Sequence, residues 1–193
     1  MALKEFTLNQ IGGIFGTLRL TNRTMIESEI NDVLKSAKVG RLGLYDTGSP
    51  YVVPVNFAFE TGHIYFHSAD VGTKMGLIKE NPSVCFEVDQ YIRTIEASSL
   101  CGYDTAYRSV IAFGKARILV DAEEKAKALR VIVSKYARPE EAKKLETTIV
   151  EAHRSSQGSR TVVVDILIQQ MTGKHHVPED VVLGTPTRET ARA

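Results

Sequence analysis

The residues whose types and spacing could do chemistry run from His67 to Lys74, in the order His-Ser-Ala-Asp-Val-Gly-Thr-Lys. A strand-like stretch ends in small polar residues, passes Gly72, and enters a helix-like stretch with a lysine in its first turn. A helix N-terminus offers unpaired N–H donors and the positive end of a dipole. Thr73 adds a hydroxyl and Lys74 a full charge, so the segment suits a phosphate. A solvated loop carrying an exposed lysine is the plainer reading of the same residues.

The other candidates are weaker. Gly12-Gly13-Ile14-Phe15-Gly16 is glycine-rich, but it lacks the spacing and the strand-to-helix context of a phosphate cradle. Neither a hydrolase elbow nor a dinucleotide fingerprint is present. The five histidines are His63, His67, His153, His175 and His176. His63 and His67 lie on one face of a strand, about 13 Å apart at the strand rise of about 3.3 Å per residue, too far to share a metal. His175 and His176 read as a solvated pair. No metal site is expected. Cys85 and Cys101 form neither a C-x-x-C pair nor a disulfide framework, as in a reducing cytosol.

Composition narrows the function class. The 193 residues carry 24 basic and 23 acidic side chains and a net charge of +1. That balance gives no electrostatic basis for a nucleic-acid or membrane-surface partner. No apolar run approaches the roughly 20 residues of a spanning helix, and the N-terminus lacks a signal-peptide pattern. A cytoplasmic protein is expected.

The elements that must position these residues follow from periodicity. Thr24 and Glu27 have capping-box spacing ahead of Ile26, Ile30, Val33, Leu34 and Ala37, which predicts a helix over 25–38. Val39 to Tyr45, Tyr51 to Phe59 and Ile64 to His67 read as strands joined by two tight turns, an antiparallel meander. A helix over 72–80 stops at Asn81-Pro82, and Val84 to Val88 is a further strand. Residues 91–106 read as irregular. A long strand follows over 107–120, with Gly114 as a bulge. Asp121 and Glu124 start a helix to Tyr136, and Pro139 opens another. Thr161 to Ile168 reads as a buried strand, after which the pattern fades beyond Gly173. The expected organisation is an N-terminal arm over 1–23, one domain over 24–176 and a polar tail over 177–193. About six strands, three to four helices and no β-α-β alternation indicate a mostly β, antiparallel architecture with flanking helices.

Five stretches together resemble the pyridoxamine 5′-phosphate oxidase-like superfamily, and more closely its nitroimidazole-resistance branch. They are Lys38 to Leu44, Pro50 to Phe57, Ile64 to Ala69, Asn81 to Val88 and Tyr107 to Ala116, with Met171-Thr172-Gly173-Lys174 at the end. The resemblance covers 24–174 and rests on the combination of motifs. It implies a split β-barrel that dimerises and binds flavin mononucleotide (FMN) at the subunit interface.

By position, the resemblance implies that Val53, Pro54, Val55 and Asn56 line the isoalloxazine edge through backbone groups. Phe66, His67 and Ser68 would lie beside the ring and ribityl chain, and Thr73 and Lys74 would hold the phosphate. His67 would act at the flavin; an imidazole with the ordinary pKa of about 6.5 can pass a proton near neutrality. Lys174 and Met171 fall at partner-subunit contacts of related oxidases. The implied activity is reduction of a small acceptor, such as a nitroaromatic or a quinone, with electrons from a nicotinamide or another donor. Two departures matter. Many relatives carry arginine where Thr73 stands, and the substrate-binding tail motif of the vitamin oxidase is not recognisable around His175 to Asp180, which disfavours pyridoxamine phosphate oxidation. A non-catalytic flavin- or haem-binding module is the alternative, and a deazaflavin user is a third reading.

Overall fold

A computed structural model of the chain describes residues 20–46, 48–138 and 158–181. Among these are three α-helices, α1 (Glu27–Ser36), α2 (Thr73–Glu80) and α3 (Ala122–Tyr136). The strands are β1 (Val39–Asp46), β2 (Ser49–Asn56), β3 (Ala58–Glu60), β4 (His63–Ala69), β5 (Ser83–Ile95), β6 (Asp104–Ile118) and β7 (Thr161–His176). They form one seven-stranded sheet in the order β2-β1-β5-β6-β7-β4-β3. Every ladder is antiparallel. The predicted helix from Pro139 lies outside the described residues. Among the described residues no helix is long and apolar enough to cross a membrane.

The two edge strands, β2 and β3, are separated in sequence by Phe57 alone. A sheet whose opposite edges are consecutive in the chain has to curl until they meet, which makes a barrel. No ladder joins β2 to β3 or β4, so the barrel is split. The expected meander is corrected here: β1–β2 and β3–β4 are hairpins, but the predicted strand Tyr51 to Phe59 breaks at Phe57. Its side chain is fully buried and packs edge-on to Phe86, ring centres 5.0 Å apart. The chain passes there from its ladder with β1 to its ladder with β4, and Tyr136 takes up the backbone groups of Phe57 that neither ladder pairs. Its hydroxyl accepts from Phe57 N–H at 2.8 Å and donates its single proton to the carbonyl of Lys38 or Phe57, at 2.6 and 2.8 Å.

The interior is filled by alternate strand residues, among them Leu42, Val55, Phe66, Phe86 and Ile166, together with Ile30, Val33 and Leu34 of α1 and Met75 and Ile78 of α2. Helix α3 packs on the opposite face, where Ala128 and Ile132 meet Ala58, Leu119 and Val163. Val163 and Val164 are neighbours on β7 yet belong to different clusters, as the two-residue strand period requires.

Three boundaries differ from the sequence expectation. Helix α1 starts two residues late because Thr24 bridges Lys174 and Met25 N–H bonds the Gly173 carbonyl at 3.0 Å. Glu29, not Glu27, then reaches back to an N–H, that of Ile26, at 2.9 Å. Residues 91–106 are not all irregular: β5 runs to Ile95 through a register shift at Tyr91/Arg93, and β6 begins at Asp104. Strand β7 continues through the polar residues to His176, paired with Tyr107. The bulge expected at Gly114 is present as a shift between Phe113 and Gly114, where an added Cβ would lie 2.3 Å from the Leu167 carbonyl oxygen. Asp121 caps α3 by accepting from Glu124 N–H at 2.9 Å.

Candidate functional site

The split between β2 and β4 gathers most of the predicted site residues. Among the described residues, strand β2 has β1 on one edge and no strand on the other. Strand β4 pairs with β3 only through His63 to Tyr65, so Phe66 to Ala69 have β7 on one side and no ladder on the other. Val53, Pro54, Val55 and Asn56 lie on the first open edge, and Phe66, His67 and Ser68 on the second. Open edges present backbone donors and acceptors that a flat polar molecule can pair with. Side-chain directions divide these residues. Val55 and Phe66 are buried in the core, which leaves their backbone groups for a ligand. Val53 is partly buried against the core. Pro54, Asn56 and His67 are exposed, and Ser68 is half-buried.

The chain leaves β4 and enters α2 through Gly72, whose φ of +101° is a conformation that L side chains rarely adopt. Its carbonyl accepts from Met75 and Gly76, which leaves the Thr73 and Lys74 N–H groups without intrahelical acceptors. Thr73 is exposed. Lys74 is half-buried, its ammonium 5.5 Å from the centre of the Phe66 ring. Burial pushes the Lys74 amine below its ordinary value. No carboxylate among the described residues pairs with it. A partly desolvated cation beside open N–H groups is a fit for an anion such as a phosphate.

Lys174 lies elsewhere. It sits on the half of β7 that runs past β4, paired with Ser109 and bridged to Thr24. Met171 is buried in the core of its own chain. His175 Nδ1 stands 4.0 Å from Glu29, and His176 Nδ1 stands 3.0 Å from Asp104. The second contact lacks hydrogen-bond alignment. His63 is held by buried Asp165 at 2.7 Å and stacks on Tyr65, ring centres 5.8 Å apart. Arg117 bonds the other oxygen of that carboxylate at 3.0 Å. Among the described residues no three His, Cys, Asp or Glu side chains gather in a metal-holding group.

Two features escaped the sequence. A cleft of about 570 Å³ opens beside β1 and β5, lined by Lys38, Arg41, Gln90 and Arg108 among others, and no predicted flavin-contact residue lines it. Lys135 Nζ is also inserted between α1 and Phe57, 3.1 Å from the Leu34 carbonyl and 3.6 Å from the ring centre. Burial and the nearby Lys38 push its amine down to about 7. Neither follows from local pattern. Gln90 and Arg108 become neighbours only through the β5–β6 register, and a lysine on an amphipathic helix reads as solvated.

The chain is similar in sequence and fold to known proteins. The family model described as pyridoxamine 5′-phosphate oxidase matches residues 27–175. A solved structure of a proposed 5-nitroimidazole antibiotic resistance protein from Bacteroides thetaiotaomicron is 27% identical, over 78% of this chain and 85% of that one, with a TM-score of 0.62. An FAD-binding protein from Mesorhizobium loti is 28% identical over 80% of this chain and 97% of that one, with a TM-score of 0.56. A flavocytochrome from Azotobacter vinelandii shares the fold at 21% identity, over 84% and 73% of the two chains, with a TM-score of 0.70. No curated protein matches the sequence significantly.

Proposed function

The chain belongs to the pyridoxamine 5′-phosphate oxidase family, and on that premise we propose that it is a flavoprotein that binds FMN in the split between β2 and β4. The observation that carries this reading is the pair of open strand edges, Val53 to Asn56 and Phe66 to Ser68, with the unpaired Lys74 cation at one end. The likeness to a protein described as FAD-binding, at 28% identity, supports a flavin as the ligand.

In this reading the backbone groups of Val53, Pro54, Val55 and Asn56 bond the polar edge of the ring. Phe66 contributes main chain, since its ring belongs to the core, and Ser68 faces the ribityl chain. Thr73 and Lys74 hold the phosphate. The bound flavin supplies two-electron redox chemistry. His67, exposed on β4, holds or moves a proton at its imidazole for a small acceptor such as a nitroaromatic or a quinone. The protein acts in this reading as an oxidoreductase.

The reading includes a second copy of the chain. Helix α3 covers the outer face of β3, β4 and β7, whereas Val52 and Ile111, 63% and 39% exposed, lie on the outer face of β2 and β6, which no helix among the described residues covers. A sheet face with exposed apolar side chains and no covering layer suits a homodimer. Lys174, remote from the split of its own chain, then becomes a contact offered to the partner's flavin.

The test is the visible spectrum of the purified protein, with mass spectrometry of any released nucleotide and light scattering for the oligomer. FMN is expected. Released FAD would correct the nucleotide, and a colourless protein that leaves added FMN and FAD unbound would overturn the reading. A monomer would remove the interface.

A further inference from the structure

We propose that the cleft between the end of α1, the start of β1 and the far halves of β5 and β6 binds a small organic oxyanion on a flat ring, such as an aromatic carboxylate, with Arg108 as its main partner. The cleft exists because β1 leaves β5 after the Arg41–Glu87 pair, while β5 and β6 run on together as far as Ile95 and Asp104. Its volume of about 570 Å³ suits a small molecule.

The charge arrangement identifies the ligand class. Lys38, Arg41 and Arg108 line the cleft. Arg41 bonds Glu87 at 3.0 Å and also contacts Asp89, so both nearby carboxylates are spent on one guanidinium. Among the described residues, Lys38 donates only to the Lys135 carbonyl, at 3.4 Å. Arg108 is fixed by a neutral group: its Nε and Nη2 donate to Gln90 Oε1 at 3.0 and 2.7 Å. Gln90 is itself oriented, since its Nε2 donates to Ser36 Oγ at 2.8 Å and Ser36 donates to the Asp32 carbonyl. A glutamate there would hold Arg108 equally well and cancel its charge. A glutamine holds it and leaves the charge available, with the remaining N–H donors of the guanidinium free to meet two oxygens. Among the described residues, three lining cations meet two carboxylates, Asp89 of the lining and Glu87 behind Arg41, which leaves one positive charge in excess. Tyr91, its hydroxyl 2.9 Å from Thr94 Oγ1, is the one aromatic side chain among the described residues lining the same cleft.

None of these residues is among those assigned to the flavin, so the two sites can fail separately. The full-length protein is titrated with benzoate, with inorganic phosphate and with uncharged benzamide, following the Arg108 Nε–H resonance. Saturable binding of benzoate in preference to benzamide is expected, and it persists in Lys74→Ala, where the flavin phosphate contact is lost. Phosphate binding alone would show that the ring contributes nothing and overturn the aromatic part of the assignment. Gln90→Glu places a carboxylate on Arg108 without changing shape and should weaken benzoate about tenfold or more. Arg108→Gln serves the same purpose if that variant fails to fold. Benzoate binding that is absent, equal to benzamide, or unchanged in both variants would overturn the proposal.

Discussion

The Lys74 ammonium stands 5.5 Å from the centre of the Phe66 ring, with no carboxylate among the described residues to pair with it. The ring face attracts the cation, but burial still lowers its pKa, so the favourable contact does not offset the lost hydration. A phosphate would. Lys74→Ala is therefore expected to weaken FMN binding by about 1.5–3 kcal/mol, the range for a hydrogen bond to a charged group. Fluorescence titration of the flavin-free protein measures it, and an unchanged Kd would move the phosphate away from α2.

His67→Ala is expected to leave the melting temperature and the flavin spectrum close to those of the parent protein, because the side chain is exposed and outside both core clusters. Turnover with a nitroaromatic acceptor should fall on the order of a hundredfold, the lower part of the range for a positioned proton donor. Equal turnover in the two proteins would reduce His67 to a surface residue of β4.

How much of this was legible in the sequence depends on whether the determining contact is local. The helix entrance at Gly72-Thr73 was legible because a glycine ahead of an apolar helical pattern and an Asn-Pro stop act locally. Gly114 was legible as a bulge because a glycine inside a β-branched run needs a reason. The break at Phe57 was not: its strand reads continuously to Phe59, and only the ladders show that the chain passes there from β1 to β4. The polar ends of β5 and β7 were missed because Arg93, Thr94, His175 and His176 carry no apolar alternation. They are strands because of their ladders. The α1 start moved because a bridge from Thr24 to β7 outweighed a capping box.

Asp165 allows a test of which side of an ion pair matters more. Its carboxylate is 1% exposed, while Arg117 is 55% exposed at the side chain. Removing the carboxylate as Asp165→Asn leaves an arginine that water and Glu124, 2.9 Å away, can satisfy, and should cost about 1–1.5 kcal/mol. Arg117→Met instead strands a buried carboxylate with His63 alone and should cost about 3 kcal/mol or more. Urea denaturation of both variants decides the order. If Asp165→Asn proves the more destabilising, the pair is held by packing around the carboxylate and not by its charge.

Lys135 makes the stability of the fold depend on pH in a stated direction. Its amine, 3.1 Å from the Leu34 carbonyl at the end of α1, is pushed from 10.5 to about 7 by burial and by the Lys38 charge. Below about pH 7 the amine is protonated in both the folded and unfolded chains, and the fold carries the whole cost of the buried charge. Between about 7 and 10.5 the unfolded chain binds a proton that the folded chain does not, so raising the pH stabilises the fold. The opposite trend begins above about pH 10, because burial and Asp165 push the Tyr65 phenol up to about 12 and the unfolded chain ionises it first. Urea denaturation between pH 6 and pH 9.5 should therefore show stability rising from near neutrality. Lys135→Met keeps the apolar stem against Phe57 and removes the titrating amine, and it should flatten most of that rise. A parent protein with a flat profile, or a variant with the same slope, would show that Lys135 stays charged against the Phe57 ring and that the junction of α1, α3 and β2 tolerates a cation at no measurable cost.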